Sequence, residues 1–290
     1  MFIEETTTQM ETTLDLSVFN VTVRVNCPDT AVKSLLISLY GDFVAANKNA
    51  PRLYFDIRQT RQHKLITLGN RTHVAHDEGE FIYLFEKTLT LALQRQRPDL
   101  YFLHGAAVVH DGVGCLLIAP SGSGKSTTTW ALLHHDFGYQ SDELAPIQLQ
   151  NLTVHPYPHA LCLKNEPPRE YPLPEETLFN ERTIHIPTYS MPGPVINTPV
   201  PLAVVLLVSY RPGQRQPTLL SLTGAQAASQ IYVNALNQLA HPNHGLSAAA
   251  HIAQNCLCFS LITGDLAATA ACVKETLATA THSRQARCTA

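Results

Sequence analysis

The chain has 290 residues, 45% of them hydrophobic, and a formal net charge of −3. That is enough apolar material for one large domain or two modest ones. The charge balance lacks the basic stripe a nucleic-acid-binding surface needs, and no run of about 18 apolar residues suggests a membrane span.

The acidic, Thr-rich start, MFIEETTTQMETTLDL, has neither a basic lead nor an apolar segment and does not read as a signal peptide. Residues 1–98 read as a small α+β region. VFNVTVRVNC, RLYFDIR and HKLITLG alternate as strands. TAVKSLLISLYGDF has helical spacing and a stop at Gly41, and EFIYLFEKTLTLALQRQ is a stronger amphipathic helix ended by Pro98. This region carries no recognisable chemistry; it packs on the rest of the chain or engages a partner.

Residues 99–290 read as a second, larger domain. YFLHGAAVVHDGVGCLLIAP predicts two strands joined at Asp111-Gly112, the second apolar and central. A Gly/Ser loop follows, then a helix from about Lys125 to His135. A turn at Asp136–Gly138 and a short strand through Tyr139 lead to Asp142 and Glu143. Residues from about Asn165 to Pro201 are proline-rich and read as a long irregular excursion. PLAVVLLVSY and CLCFSLIT are strands. TGAQAASQIYVNALNQLA, HGLSAAAHIAQ and DLAATAACVKETLATA are helices, and the tail THSRQARCTA frays.

Seven cysteines at irregular spacings argue against a disulfide framework and for a reducing, cytoplasmic setting. Cys256 and Cys258 are read as core residues rather than metal ligands.

The chemistry concentrates in Ala119–Ser126, which fits [G/A]-x-x-x-x-G-K-[S/T], the phosphate-binding P-loop. Gly122 and Gly124 carry the backbone demand, because the chain must turn its N–H groups inward. Ser121, Gly122, Ser123, Gly124, Lys125, Ser126 and Thr127 are the expected nucleotide ligands. Lys125 reaches phosphate at a helix N-terminus, and Ser126 ligates Mg²⁺. An apolar strand ending in Asp is the usual source of the metal-organising acid. AVVLLVSY offers none, so Asp142 and Glu143 are the candidates. The crossover expected for a parallel sheet returns them beside the strand that leads into the loop.

His104-Gly105 in a strand, APSGSGKST, SDELAPI and PYPHALCLKNE together resemble the HPr kinase/phosphorylase family. The chain is most similar to its members that lack the HPr-recognition signature. The resemblance implies an α/β fold with a P-loop, mixed-sheet core shared with phosphoenolpyruvate carboxykinase. It implies an ATP- and Mg²⁺-dependent kinase that transfers the γ-phosphate to a hydroxyl, most simply a serine of a protein or peptide. It also implies roles: Asp142 as base, Glu143 with Ser126 on the metal, and His104 beside the acidic pair. Lys164, Glu166 and Arg211 fall near the phosphate or acceptor. A homo-oligomer is compatible, since well-known members are hexamers. Three departures argue against HPr as acceptor and against phosphorolysis: Thr127 stands where bifunctional members carry an acid, the acidic-Arg-Gly-Leu-Gly signature is absent, and Glu143 replaces Asp. A kinase of a small molecule such as free serine and a non-catalytic nucleotide-binding regulator stay open as alternatives.

Overall fold

A computed structural model of the chain describes residues 12–45 and 50–288, with side chains through Thr281. The acidic start, residues 1–11, lies outside the described residues. The fold is mixed α/β, with curled mixed sheets.

The N-terminal region is a five-stranded sheet and two helices: β1 (Thr13–Val18), β2 (Val21–Asn26), α1 (Thr30–Tyr40), β3 (Leu53–Gln59), β4 (Lys64–Leu68), β5 (Arg71–Ala75) and α2 (Glu78–Gln96). The strands lie in chain order, and only β2 and β3 run parallel. The alternating run VFNVTVRVNC is not one strand. Phe19 and Asn20 take φ of 51° and 62°, which folds β1 back onto β2 in a tight hairpin. Asp29 caps α1 through the Ala31 and Val32 amides, and Gly41 ends the helix. Asp77 caps α2, whose Phe81, Phe85, Leu89 and Leu93 form a buried stripe, with Phe85 against Phe55.

The remaining elements are β6 (Leu100–His104), β7 (Ala106–His110), β8 (Val113–Ile118), α3 (Lys125–Leu133), β9 (Gly138–Ser141), β10 (Leu144–Gln148), β11 (Thr153–Val154), β12 (Leu161–Leu163), β13 (Leu178–Phe179), β14 (Ile184–Ile186), β15 (Val200–Tyr210), β16 (Thr218–Ser221), α4 (Gly224–Val233), α5 (Leu246–Asn255), β17 (Leu257–Thr263) and α6 (Leu266–Cys288). A curled nine-stranded sheet runs β6-β10-β11-β15-β8-β7-β9, with β17 also on β15 and β16 on β17. Its centre, β8, β15 and β17, is parallel. Strand β8 is apolar because neighbouring strands flank it and both faces are covered. One face packs with α3 and α6, the other with α4 and α5. The N-terminal core is continuous with the large sheet, since Leu100, Phe102, Leu144 and Tyr157 join the same buried cluster.

Several sequence expectations change. The segment read as two strands forms three, because β6 and β7 separate at Gly105 while Asp111-Gly112 makes the expected turn. The acidic pair does not follow a strand beside β8: β9 pairs with β7, and β7 intervenes. The stretch 223–240 is not a single helix, since α4 stops at Val233. Helix α6 continues to Cys288 instead of fraying at Thr281. Cys256 and Cys258 are buried, as expected.

The proline-rich excursion is also more ordered than its composition predicts. It contributes β13 and β14 to a small sheet with β12, and it buries Tyr171, Ile184 and Ile186 against the α3 side of the core. Trp130 Nε1 donates to Tyr171 O at 3.0 Å, and in the returning chain Pro194 O accepts from the Tyr139 amide while the Ile196 amide donates to Tyr139 O. At Gly193 the excursion passes so close to the turn between α3 and β9 that a Cβ would stand 2.4 Å from Phe137 O. Gly193→Ala should therefore lower the thermal midpoint, costing about 1–3 kcal/mol as backbones are forced apart, as read by calorimetry. An unchanged midpoint would show that this segment is not held against the core.

Candidate functional site

The loop between β8 and α3 shapes the site. Gly122 and Gly124 take φ of 84° and 89°, the left-handed region that favours glycine, whereas Ala119 has no positive φ. Gly124 is the residue before α3, and no side chain caps the helix. The first amides of α3 are thus left for a ligand or solvent, at the positive end of its dipole. Three consecutive threonines are poor helix formers. Burial compensates: α3 is embedded from Thr128 to Leu133, and the Thr129 hydroxyl bonds back to Lys125 O at 2.9 Å.

The acidic pair arrives through a break in the sheet. Strands β6 and β7 run on from one another, and so do β10 and β9 on the opposing side. His104 pairs with Leu144 and Ala107 with Ser141. Asp142 and Glu143 occupy the interruption opposite Gly105 and Ala106. This irregularity turns two acids toward the glycine loop and leaves His104 next to Glu143.

The side chains meet there. Lys125 is only 7% exposed, and its ammonium lies 2.9 Å from Asp142 Oδ1 and 3.5 Å from Glu143 Oε1, also donating to Asp142 O. Ser126 Oγ donates to Asp142 Oδ1 at 3.1 Å, and the Cys162 amide reaches Oδ2 at 3.4 Å. Asp142 is fully buried, whereas the Glu143 side chain is 34% exposed and faces a cleft of about 200 Å³. His104 Nδ1 lies 3.3 Å from Glu143 Oε2. Burial raises the Glu143 carboxyl above its usual range; Lys125 opposes this, and neighbouring Asp142 adds to it. Burial acts to depress Lys125, yet Asp142 and Glu143 together hold its pKa above the ordinary lysine value.

The structure brings Ser121, Gly122, Gly124, Lys125, Ser126, Thr127, Glu143, His104 and Lys164 to this one cleft. Asp142 lies behind the lining, bonded to Lys125 and Ser126. Ser123 sits within the loop, its amide bonded to Pro120 O at 3.2 Å. Lys164 donates to Ser121 Oγ across the mouth. Glu166 and Arg211 are exposed and do not line it. Sequence reasoning missed Cys162, which lines the cleft with Lys164. The two lie two residues apart at the end of β12, so strand alternation was the available signal.

Chemically, the loop and helix terminus suit a multiply charged anion, and the hydroxyl and carboxylate oxygens suit a hard divalent cation. Among the described residues no cluster of three or more His, Cys, Asp and Glu could hold a metal by itself. A cation here would need oxygens from the anion as well, the way Mg²⁺ is commonly held.

Behind the cleft a buried pair was also missed. His159 Nε2 stands 2.7 Å from Glu86 Oε1, tying α2 to the chain that leads into β12. Burial works against both charges, but each holds the other ionised: Glu86 is lowered and His159 raised from their ordinary values. Nearby His185 is pushed down to about 4, chiefly by burial. The Glu86–His159 contribution is full between the ordinary values of 4.5 and 6.5. It is lost as pH falls through the Glu86 pKa or rises through that of His159. The gap in thermal midpoint between the natural chain and His159→Gln should be widest within that window and narrow toward alkaline pH. A gap independent of pH would overturn this reading.

No family model matches the chain, and no curated protein matches it either.

Proposed function

We propose that the glycine loop is the P-loop of an ATP- and Mg²⁺-dependent kinase with an HPr kinase-like core, acting on a hydroxyl of a protein or peptide. One observation carries this: Lys125, Ser126, Asp142, Glu143 and His104 are joined by contacts between 2.9 and 3.5 Å at the open end of the loop. Phosphoryl transfer asks of a protein mainly positioning and charge compensation, together with a base for the acceptor proton. This cluster has a group for each task.

The geometry favours a division of labour opposite to the one the family resemblance implies. Asp142 is fully buried and bonded to Ser126, so these two are suited to hold Mg²⁺, which supplies charge neutralisation at the phosphates. Glu143 faces the cleft, and burial raises its proton affinity, so it is suited to accept the acceptor's hydroxyl proton. His104 orients Glu143 through its Nδ1. Lys125, released from the carboxylates, binds phosphate, and the loop amides orient it.

The test is incubation with γ-labelled ATP and cell extract, with mass spectrometry of the protein that gains phosphate. With that acceptor, Glu143→Gln should retain ATP binding and lose about 100-fold or more in transfer. The natural enzyme's kcat/KM should rise with pH through the raised Glu143 pKa and then level. Asp142→Asn should instead raise the Mg²⁺ concentration needed for half-maximal rate. Wild-type transfer by Glu143→Gln would remove it as the base, and no labelled acceptor would remove the kinase reading.

A further inference from the structure

A second and larger cleft, about 710 Å³, lies in the N-terminal region between the second half of α2 and strands β3 to β5. Its floor is apolar, with Leu53, Leu68, Leu84 and Ala92 among the lining residues. Its rim is cationic. Arg52 precedes β3, Arg71 opens β5, and Lys87 and Arg95 project from α2 on either side of Leu91 at intervals of four residues. Among the described residues no Asp or Glu lines the cleft.

These four cations differ from the chain's paired ones, and other described cations without a carboxylate within 4.0 Å, such as Arg61, Arg169 and Arg211, lie outside this cleft. Arg24, Arg58, Arg97, Lys125, Arg182 and Lys274 each sit within 4.0 Å of a carboxylate. Among the described residues Arg52, Arg71, Lys87 and Arg95 have no such neighbour; Lys87 alone has a contact of another kind, 5.6 Å from the Tyr83 ring centre. These four cations, from α2, β5 and the residue before β3, converge on one hollow in a chain of net charge −3. At the same hollow Leu91 is 44% and Tyr54 52% exposed.

The two features select one class of ligand. An inorganic anion would leave the apolar floor wet. A nucleic acid would call for an extended basic stripe rather than a compact, apolar-floored hollow. The volume falls in the range of small-molecule sites, about 300–1,000 Å³. We propose that this cleft binds a small amphipathic anion, an apolar body bearing a carboxylate or phosphate head. The body covers the leucines between α2 and the sheet, and the head is shared among the rim cations, with Arg71 and Arg95 on opposite walls. The site is independent of the glycine loop and of the reaction assigned to it.

Titration calorimetry of the full chain tests this, with decanoate and decyl phosphate as probes below their micelle concentrations. Decyltrimethylammonium and inorganic phosphate are the controls. One equivalent of decanoate or decyl phosphate should bind, and neither control should. Preference between the probes identifies the head group. Arg71→Glu/Arg95→Glu exchanges two exposed side chains, so its thermal midpoint should hold while affinity falls about tenfold or more. Lys164→Ala, an exposed change at the glycine-loop cleft, should leave probe affinity unchanged. Failure of both anions to bind would overturn the proposal. So would equal binding of the cationic probe, or unaltered affinity in the double variant.

Discussion

The buried ammonium of Lys125 is the constraint around which the glycine-loop half of the chain is arranged. An unpaired ammonium with so little exposure would cost several kcal/mol in lost hydration. The sequence answers with two carboxylates on adjacent residues, both within 3.5 Å. Those carboxylates have the same difficulty, and Lys125, Ser126, the Cys162 amide and His104 relieve it. Lys125 and Asp142, the most buried of the group, depend on one another most strongly. The glycine loop, the sheet break and the entry to β12 must therefore form together.

The sheet break is the architectural counterpart of that constraint. A regular antiparallel ladder would point Asp142 and Glu143 to opposite faces. Interrupting the ladder opposite Gly105 lets both acids approach one lysine. Irregularities of this kind re-aim side chains next to functional sites elsewhere. The cost is tolerated because the surrounding strands are held from both faces by α3, α6, α4 and α5.

Much of this was legible in the sequence, for physical reasons that also mark its limits. Gly122, Gly124, Lys125 and Ser126 are legible because a loop of that geometry accepts few residues. Helices α1 and α2 were legible from their spacing and stops. What stayed hidden depended on partners distant in sequence. Phe19-Asn20 lacks the glycine that advertises a hairpin, so alternation ran straight through it. Nothing local separates β6 from β7; the split follows from which strands pair with each. The prolines of 165–201 speak against regular ladders, but Trp130 and Phe137 hold that segment through a donor and a close approach that composition does not express. Glu86 and His159 stand 73 residues apart, joined only by the fold.

The resting arrangement of Lys125 has a consequence for selectivity. A glycine loop with a free lysine attracts any small anion, and inorganic phosphate would lodge there. Here the lysine is already neutralised by two carboxylates that cannot diffuse away. A simple anion gains little by entering, because it must displace groups of its own sign at very high local concentration. An anion that brings a divalent cation meets no such barrier, since the freed carboxylates acquire a new counter-charge at once. Under the proposed function, the loop's resting charge balance disfavours solitary ions and favours metal-bearing ones.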